Sequence, residues 1–167
     1  MSQLPIKAIA LTFVPRLGTR AAVHLLEIFG SAEAIYAASV QDLISEAELR
    51  EDVARSIVAQ AGVREAEREA EYCLRHGIKA IASTDSDYPT LLREVDDYPP
   101  VIYVRGNIDA LHRRCVAFVG TRKISSYGQR MCNELVQGLA EAVPDVVVVS
   151  GLAYGVDSAC HRAEYRP

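Results

Sequence analysis

The chain has 167 residues, 18 Lys+Arg against 22 Asp+Glu, and a formal net charge of −4. Half of its residues are hydrophobic and 24% are charged, which excludes collagen-like, low-complexity and disordered classes and leaves one ordinary domain or two small ones. The uncharged run Val146–Val156 falls short of the ~20 apolar residues of a membrane span, and the N-terminus MSQLPIKAIALTF lacks signal-peptide character, so the expectation is a cytoplasmic protein with no membrane partner.

The first 76 residues read as helical. Ile6, Ile9, Ala10 and Phe13 recur at a helical period. Val14-Pro15-Arg16-Leu17-Gly18 breaks the pattern, and Arg20–Phe29 resumes it. Gly30 is a predicted C-terminal stop, and Ser31 and Ser39 are predicted N-caps. Val53, Ile57, Val58 and Ala61 form a further stripe, and the Arg- and Glu-rich segment 64–76 reads as a helix with a solvated face, ending at Gly77. The turn between the first two helices is similar to a helix-hairpin-helix, in which amides meet nucleic-acid phosphate. The second glycine usual in such turns is missing, and structural packing of an αα-hairpin is the better reading.

From Gly77 the texture changes. Residues 78–82 and Val101–Val104 read as strands, separated by a segment rich in Asp, Pro and Tyr-Pro. Cys115–Val119 and Val146–Val149 are continuous apolar runs, as expected of strands buried on both faces. Helices are expected over 127–143 and from Val156 to Ala163. Strand, helix, strand, helix predicts a parallel βαβ unit. The expected organisation is a helical domain over 1–76 and an α/β domain over 77–167.

Cys73, Cys115, Cys132 and Cys160 form no C-x-x-C, and the four histidines form no H-E-x-x-H, so neither a metal nor another cofactor is expected and the thiols read as small hydrophobes. Charge is unevenly spread. Residues 1–100 carry 10 basic and 16 acidic side chains, whereas residues 101–167 carry 8 and 6. Between Arg105 and Arg130, six basic residues face one acid, Asp109, the pattern of a local anion site in an acidic chain.

Two loops follow the apolar strands. In an open parallel sheet, ligands bind beyond the carboxyl ends of the strands. The first loop is Gly120-Thr121-Arg122-Lys123, ahead of a helix expected to begin near Ser126. Glycine permits close backbone approach, Thr121 supplies a hydroxyl, and Arg122 offers a bidentate fork for phosphate. The second is Ser150-Gly151-Leu152-Ala153-Tyr154-Gly155-Val156-Asp157. In a βαβ unit the two loops line one crevice, with amides converging on an anion. Asp157 and His161, four apart, could form an acid–base or metal pair, but the favoured reading is a helix-start acid with a histidine that braces the loop. No nucleophile stands out and no catalytic residue is assigned.

With these motifs in order, the chain resembles the DNA-processing protein A family (DprA/Smf). The resemblance rests on Tyr88-Pro89 with Leu91-Leu92, on Pro99–Gly106, on Val119-Gly120-Thr121-Arg122 with Ser125 and Tyr127-Gly128, and on Ser150–Asp157 with His161. It implies a sterile-alpha-motif-like (SAM-like) helical domain followed by an extended Rossmann-like parallel α/β domain, of which this chain holds the N-terminal portion. It also implies a non-enzymatic binder of single-stranded DNA that loads RecA recombinase during natural transformation. The implied DNA- or phosphate-binding residues are Gly120, Thr121, Arg122, Lys123, Ser125, Tyr127, Gly128, Ser150, Gly151, Gly155, Asp157 and His161. Tyr127 and Tyr154 are implied either as stacking faces or as loop packing. The family's Rossmann-like domain continues through further strands, and the tail Ala163–Pro167 departs from the usual continuation, so a truncated form that self-associates as a homo-oligomer is expected. The alternative is a Rossmann-like nucleotide-binding protein, a nucleotide phosphoribohydrolase or a nucleotide sensor, with Asp157 as the crevice carboxylate.

Overall fold

The computed structural model describes residues 4–164; Tyr165, Arg166 and Pro167 of the tail lie outside the described residues. The elements are α1 (Ile6–Leu11), α2 (Thr19–Phe29), α3 (Ala32–Ala37), α4 (Val40–Ala47), α5 (Glu51–Val58), α6 (Val63–Arg75), β1 (Lys79–Ala82), α7 (Thr90–Arg93), β2 (Val101–Val104), a 3-10 turn (Ile108–His112), β3 (Cys115–Ala117), α8 (Ser126–Ala142), β4 (Val147–Val149) and α9 (Val156–Glu164). They form two compact units that divide between Leu111 and His112. No helix among the described residues is long and apolar enough to cross a membrane.

The first unit is held by an apolar core from every one of its first six helices. Ile9, Leu25, Ile35, Leu43, Ile57 and Ala66 are fully or almost fully buried in it. Phe13, expected on the first helix, lies beyond its end and is partly exposed. The predicted stops are in place. Gly30 closes α2 in the left-handed conformation, at φ +76°. Ser31 caps α3 by accepting the Ala34 N–H at 3.1 Å. Ser39 and Asp42 form a reciprocal capping box on α4. Arg16, in the turn between α1 and α2, is paired with Asp52 at 2.5 Å on the surface of the helical unit.

β1 and β2 form an antiparallel pair, in register from Lys79↔Val104 to Ala82↔Val101. Ala80, Ala82 and Val101 join the helical core. The change of texture at residue 77 is thus a change of secondary structure inside the first unit, and the break in packing comes at 111. The Tyr-Pro segment ties the hairpin together. Tyr88 is buried and its hydroxyl donates to the Pro99 carbonyl at 2.8 Å, while Arg93 lies over its ring and donates to the Ser83 and Asp85 carbonyls.

The second unit is the expected parallel unit. β3 and β4 are parallel neighbours, with Val116↔Val148 at the centre, joined by the 17-residue α8. Cys132 and Val136 of α8, Val148, and Ala159, Cys160 and Ala163 of α9 make its core. The strands are not buried on both faces. Val148 points into the helices, whereas Cys115, Ala117 and Val149 are exposed, because α8 and α9 pack together on the Val148 side and nothing among the described residues of the unit covers the other. Cys160 is a packing thiol. Burial and a hydrogen bond with Cys132 push it up to about 12, so it stays protonated at neutral pH. Cys115 departs from the small-hydrophobe reading in being exposed.

The capping box generates a test. The hydroxyl and N–H of Ser39 hold the Asp42 carboxyl below its usual range. A depressed folded-state pKa contributes stability above the unfolded carboxylate pKa, and that stability is lost as pH falls through the folded value. Ser39→Ala is expected to cost about 1 kcal/mol at neutral pH and to flatten the acid limb of the stability profile, both read by urea melts at pH 7 and pH 3.

Candidate functional site

The site is built where β3 and β4 end. The ladder continues one step beyond the strands, with the Phe118 N–H donating to the Val149 carbonyl at 2.9 Å. The Ser150 hydroxyl then donates back to the Phe118 carbonyl at 2.7 Å. This pair of bonds fixes the start of both loops side by side, as the parallel topology requires.

The loops themselves are in direct contact. Gly155 has φ +91°, a conformation that glycine adopts at little cost. A Cβ there would stand 2.1 Å from the Thr121 carbonyl oxygen and 2.8 Å from the Arg122 Cα. The Val156 N–H donates to that same Thr121 carbonyl at 3.2 Å. A Cβ on Gly120 would in turn meet Val156 Cγ2 at 2.7 Å. The close approach that glycine permits at these positions is an approach of one loop to the other.

The remaining polar groups divide by their partners. The Thr121 hydroxyl accepts the Lys123 N–H at 3.1 Å and tightens the turn. Ser125 is the N-cap of α8 and accepts the Gly128 N–H at 3.1 Å, and Gly128 leaves room for Ile124. Asp157 is only 5% exposed, and its carboxylate accepts the Ala153 N–H at 3.4 Å while lying against Gly151. It therefore braces the loop from the first turn of α9. His161 follows one turn later and is half-buried.

Arg122 and Lys123 are exposed, and among the described residues neither forms an ion pair. Their backbone is fixed while their charges are open to solvent. Tyr127, in the first turn of α8, is 64% exposed, and Tyr154 is 85% exposed, so neither ring is packed into the loops. Sequence reasoning named the residues that meet at this end of the sheet. It named Leu152 only as part of the second loop, and that residue's φ of +57° and 76% exposure leave no trace in a sequence pattern.

The loop contact predicts a steep cost for filling its gap. Gly155→Ala meets both an unfavourable backbone angle and the Thr121 carbonyl, and is expected to destabilise the second unit by at least ~2 kcal/mol. Ser150→Ala removes one half-buried bond and is expected to cost about 1 kcal/mol. Chemical denaturation followed by hydrogen exchange at residues 118–123 reads both.

A family model described as DNA recombination-mediator protein A matches residues 79–166. A relative from Mycobacterium tuberculosis is 32% identical over 135 residues, 73% of this chain and 34% of that protein. The DNA processing protein DprA of Streptococcus pneumoniae is 40% identical over 79 residues, 47% of this chain and 27% of the relative. Protein Smf of Escherichia coli is 40% identical over 76 residues, 46% of this chain and 20% of the relative. An X-ray structure of DNA processing protein A (DprA) from Streptococcus pneumoniae superposes with a TM-score of 0.76 at 26% identity, covering 98% of this chain and 54% of the solved one. The chain thus spans about a third or less of the length of the curated relatives it matches. With the helical unit first, the parallel pair after it and the family match running through both glycine loops, the chain belongs to the DNA recombination-mediator protein A (DprA/Smf) family.

Proposed function

We propose that this chain binds single-stranded DNA without sequence preference and serves as part of a mediator that loads RecA recombinase on that strand in natural transformation. The observation that carries the reading is the pair Arg122 and Lys123, exposed, without acidic partners among the described residues, and mounted on a turn that Gly155 and the Val156 N–H hold rigid. A guanidinium fork and an ammonium so placed suit the phosphates of a strand.

In this reading Arg122, Lys123 and Tyr127 touch the DNA. Gly120, Thr121, Ser125, Gly128, Ser150, Gly151, Gly155, Asp157 and His161 shape the two loops that present them. The role is non-enzymatic and needs no cofactor. The nucleotide-hydrolase alternative requires a carboxylate free in the crevice, and the Asp157 carboxylate is buried and engaged with its own loop, which weighs against it. Self-association belongs to the same proposal. The exposed apolar face of Cys115, Ala117 and Val149 is the surface on which a second copy packs, and a monodisperse monomer in sedimentation runs would count against it.

The central test is a titration of labelled oligo-dT and of free nucleotides at two salt concentrations. Oligo-dT is expected to bind with steep salt dependence. Arg122→Ala is expected to weaken binding and to lower the slope of log K against log salt by about 1. Tight mononucleotide binding with no oligonucleotide binding would replace this reading by the nucleotide-binding one.

A further inference from the structure

The Tyr-Pro segment between β1 and β2 has no part in the proposed DNA contact, and its charge is of the opposite sign. Residues 80–104 hold five acids and one base, Arg93. The Arg93 guanidinium is taken up by the fold, donating to the Ser83 and Asp85 carbonyls. The Asp85 carboxylate accepts the Ala82 N–H, and Asp87 pairs with Lys79. Glu94, Asp96 and Asp97 remain. They are exposed, and among the described residues none of them forms an ion pair. Glu27 of α2 adds to the same negative field, since burial and then the nearby Glu27 carboxylate push the Tyr98 phenol up.

Apolar groups stand among these acids. Leu91 is 73% exposed and Val95 47%. The backbone beneath them is fixed. The Tyr88 hydroxyl holds the Pro99 carbonyl, the Tyr88 and Tyr98 rings meet edge to face, and the Tyr98 N–H donates to the Val95 carbonyl at 3.1 Å. A braced segment that keeps a leucine and a valine in water, rimmed by uncompensated carboxylates, has the character of a contact surface.

The charge decides what covers it. A nucleic acid is repelled, and the occupant has to carry cations beside apolar groups. The chain itself displays such a surface. Arg122 and Lys123 are exposed without acidic partners among the described residues, and Leu152 and Tyr154 on the adjoining loop are 76% and 85% exposed. Each surface is held by its backbone, each shows apolar side chains to water, and the two are opposite in sign.

We propose that the Leu91–Asp97 surface of one copy docks head to tail on the Arg122 and Tyr154 loops of a second copy. The docking needs only the exposed cations of the second unit. Its consequence, that the acidic segment competes with a DNA strand for those cations, rests on the single-stranded DNA reading above. Each surface offers few residues, short of the roughly 1,200–2,000 Å² of a stable interface. The contact is therefore weak, screened by salt and displaced by a polyanion. In this it differs from packing on the apolar β3–β4 face, which salt does not screen.

The experiment is sedimentation velocity of the full chain at rising protein concentration, in low and high salt. The mean mass is expected to rise with concentration, and part of the rise to vanish in high salt. Glu94→Gln/Asp96→Asn/Asp97→Asn removes the acidic surface, and Arg122→Gln/Lys123→Gln removes the cationic one. Each variant alone is expected to lose the salt-sensitive association by roughly tenfold in Kd. An equimolar mixture of the two is expected to regain it, because one keeps the cations and the other the acids. Leu91→Ser/Val95→Ser is expected to weaken it severalfold. Oligo-dT that binds the chain is expected to dissolve the association, and the acidic-surface variant to bind oligo-dT as the unsubstituted chain does at high dilution. Absence of salt-sensitive association, or a mixture no heavier than its components, would overturn the docking and leave the DNA reading standing. Bound oligo-dT that leaves the association intact would overturn the competition. Association without any oligo-dT binding would overturn the DNA reading and leave the docking.

Discussion

The Thr121 carbonyl and the Arg122 backbone lie so close to Gly155 that no other residue fits there without displacement. Most of the second unit's functional end depends on that contact. It joins a loop leaving β3 to a loop leaving β4, two segments more than thirty residues apart in sequence. The Val156 N–H on the same carbonyl and the Ser150 hydroxyl on Phe118 reinforce it. Two loops that would be mobile singly become one body. A rigid site gives up little conformational freedom when a ligand arrives, so more of the contact energy appears as affinity.

The electrostatics follow the same division. The chain is acidic overall, and in its second unit Arg113 pairs with Asp145 at 3.6 Å. Both residues lie just ahead of β3 and β4, at the amino ends of the strands. At the carboxyl ends the acid present, Asp157, is buried against its own loop, while Arg122 and Lys123 have no acidic partner among the described residues. Arg122 and Lys123 are thus left without an acidic partner at the glycine loops, whereas Arg113 at the opposite end of the strands has one. Net charge hides this, because it sums over ends of the sheet that do opposite things.

Much of this was legible in the sequence because it is local. Ser31, Ser39 and Gly30 act through bonds within a turn, so residue type and spacing sufficed. The parallel pairing of β3 and β4 followed from apolar runs either side of a helix. What was not legible depends on which atom comes near which. The apolar runs suggested burial on two sides, but composition carries no information about what covers a face, and Ala117 and Val149 are exposed. Glycines at 120 and 155 suggested approach by a ligand, whereas the structure puts Val156 and Thr121 in those spaces. Ser125 and Ser150 look alike in a motif, yet one caps a helix and the other crosses between strands. The break in packing at 111 escaped notice because β1 and β2 look like the start of a sheet and instead complete the helical core.

The way the loops are braced separates stability from recognition. Every bond that fixes them uses backbone atoms, a small hydroxyl or the buried Asp157 carboxylate. The side chains of Arg122, Lys123 and Tyr154 take no recorded part in holding the loops. A substitution there changes what the surface offers without loosening its support, whereas a substitution at Gly155 or Ser150 changes the support first. Sites assembled from one set of side chains for both purposes cannot vary their ligand without risking their shape. Here the two demands fall on different residues of the same few turns, because a parallel pair of strands delivers two loops close enough to hold each other by their backbones.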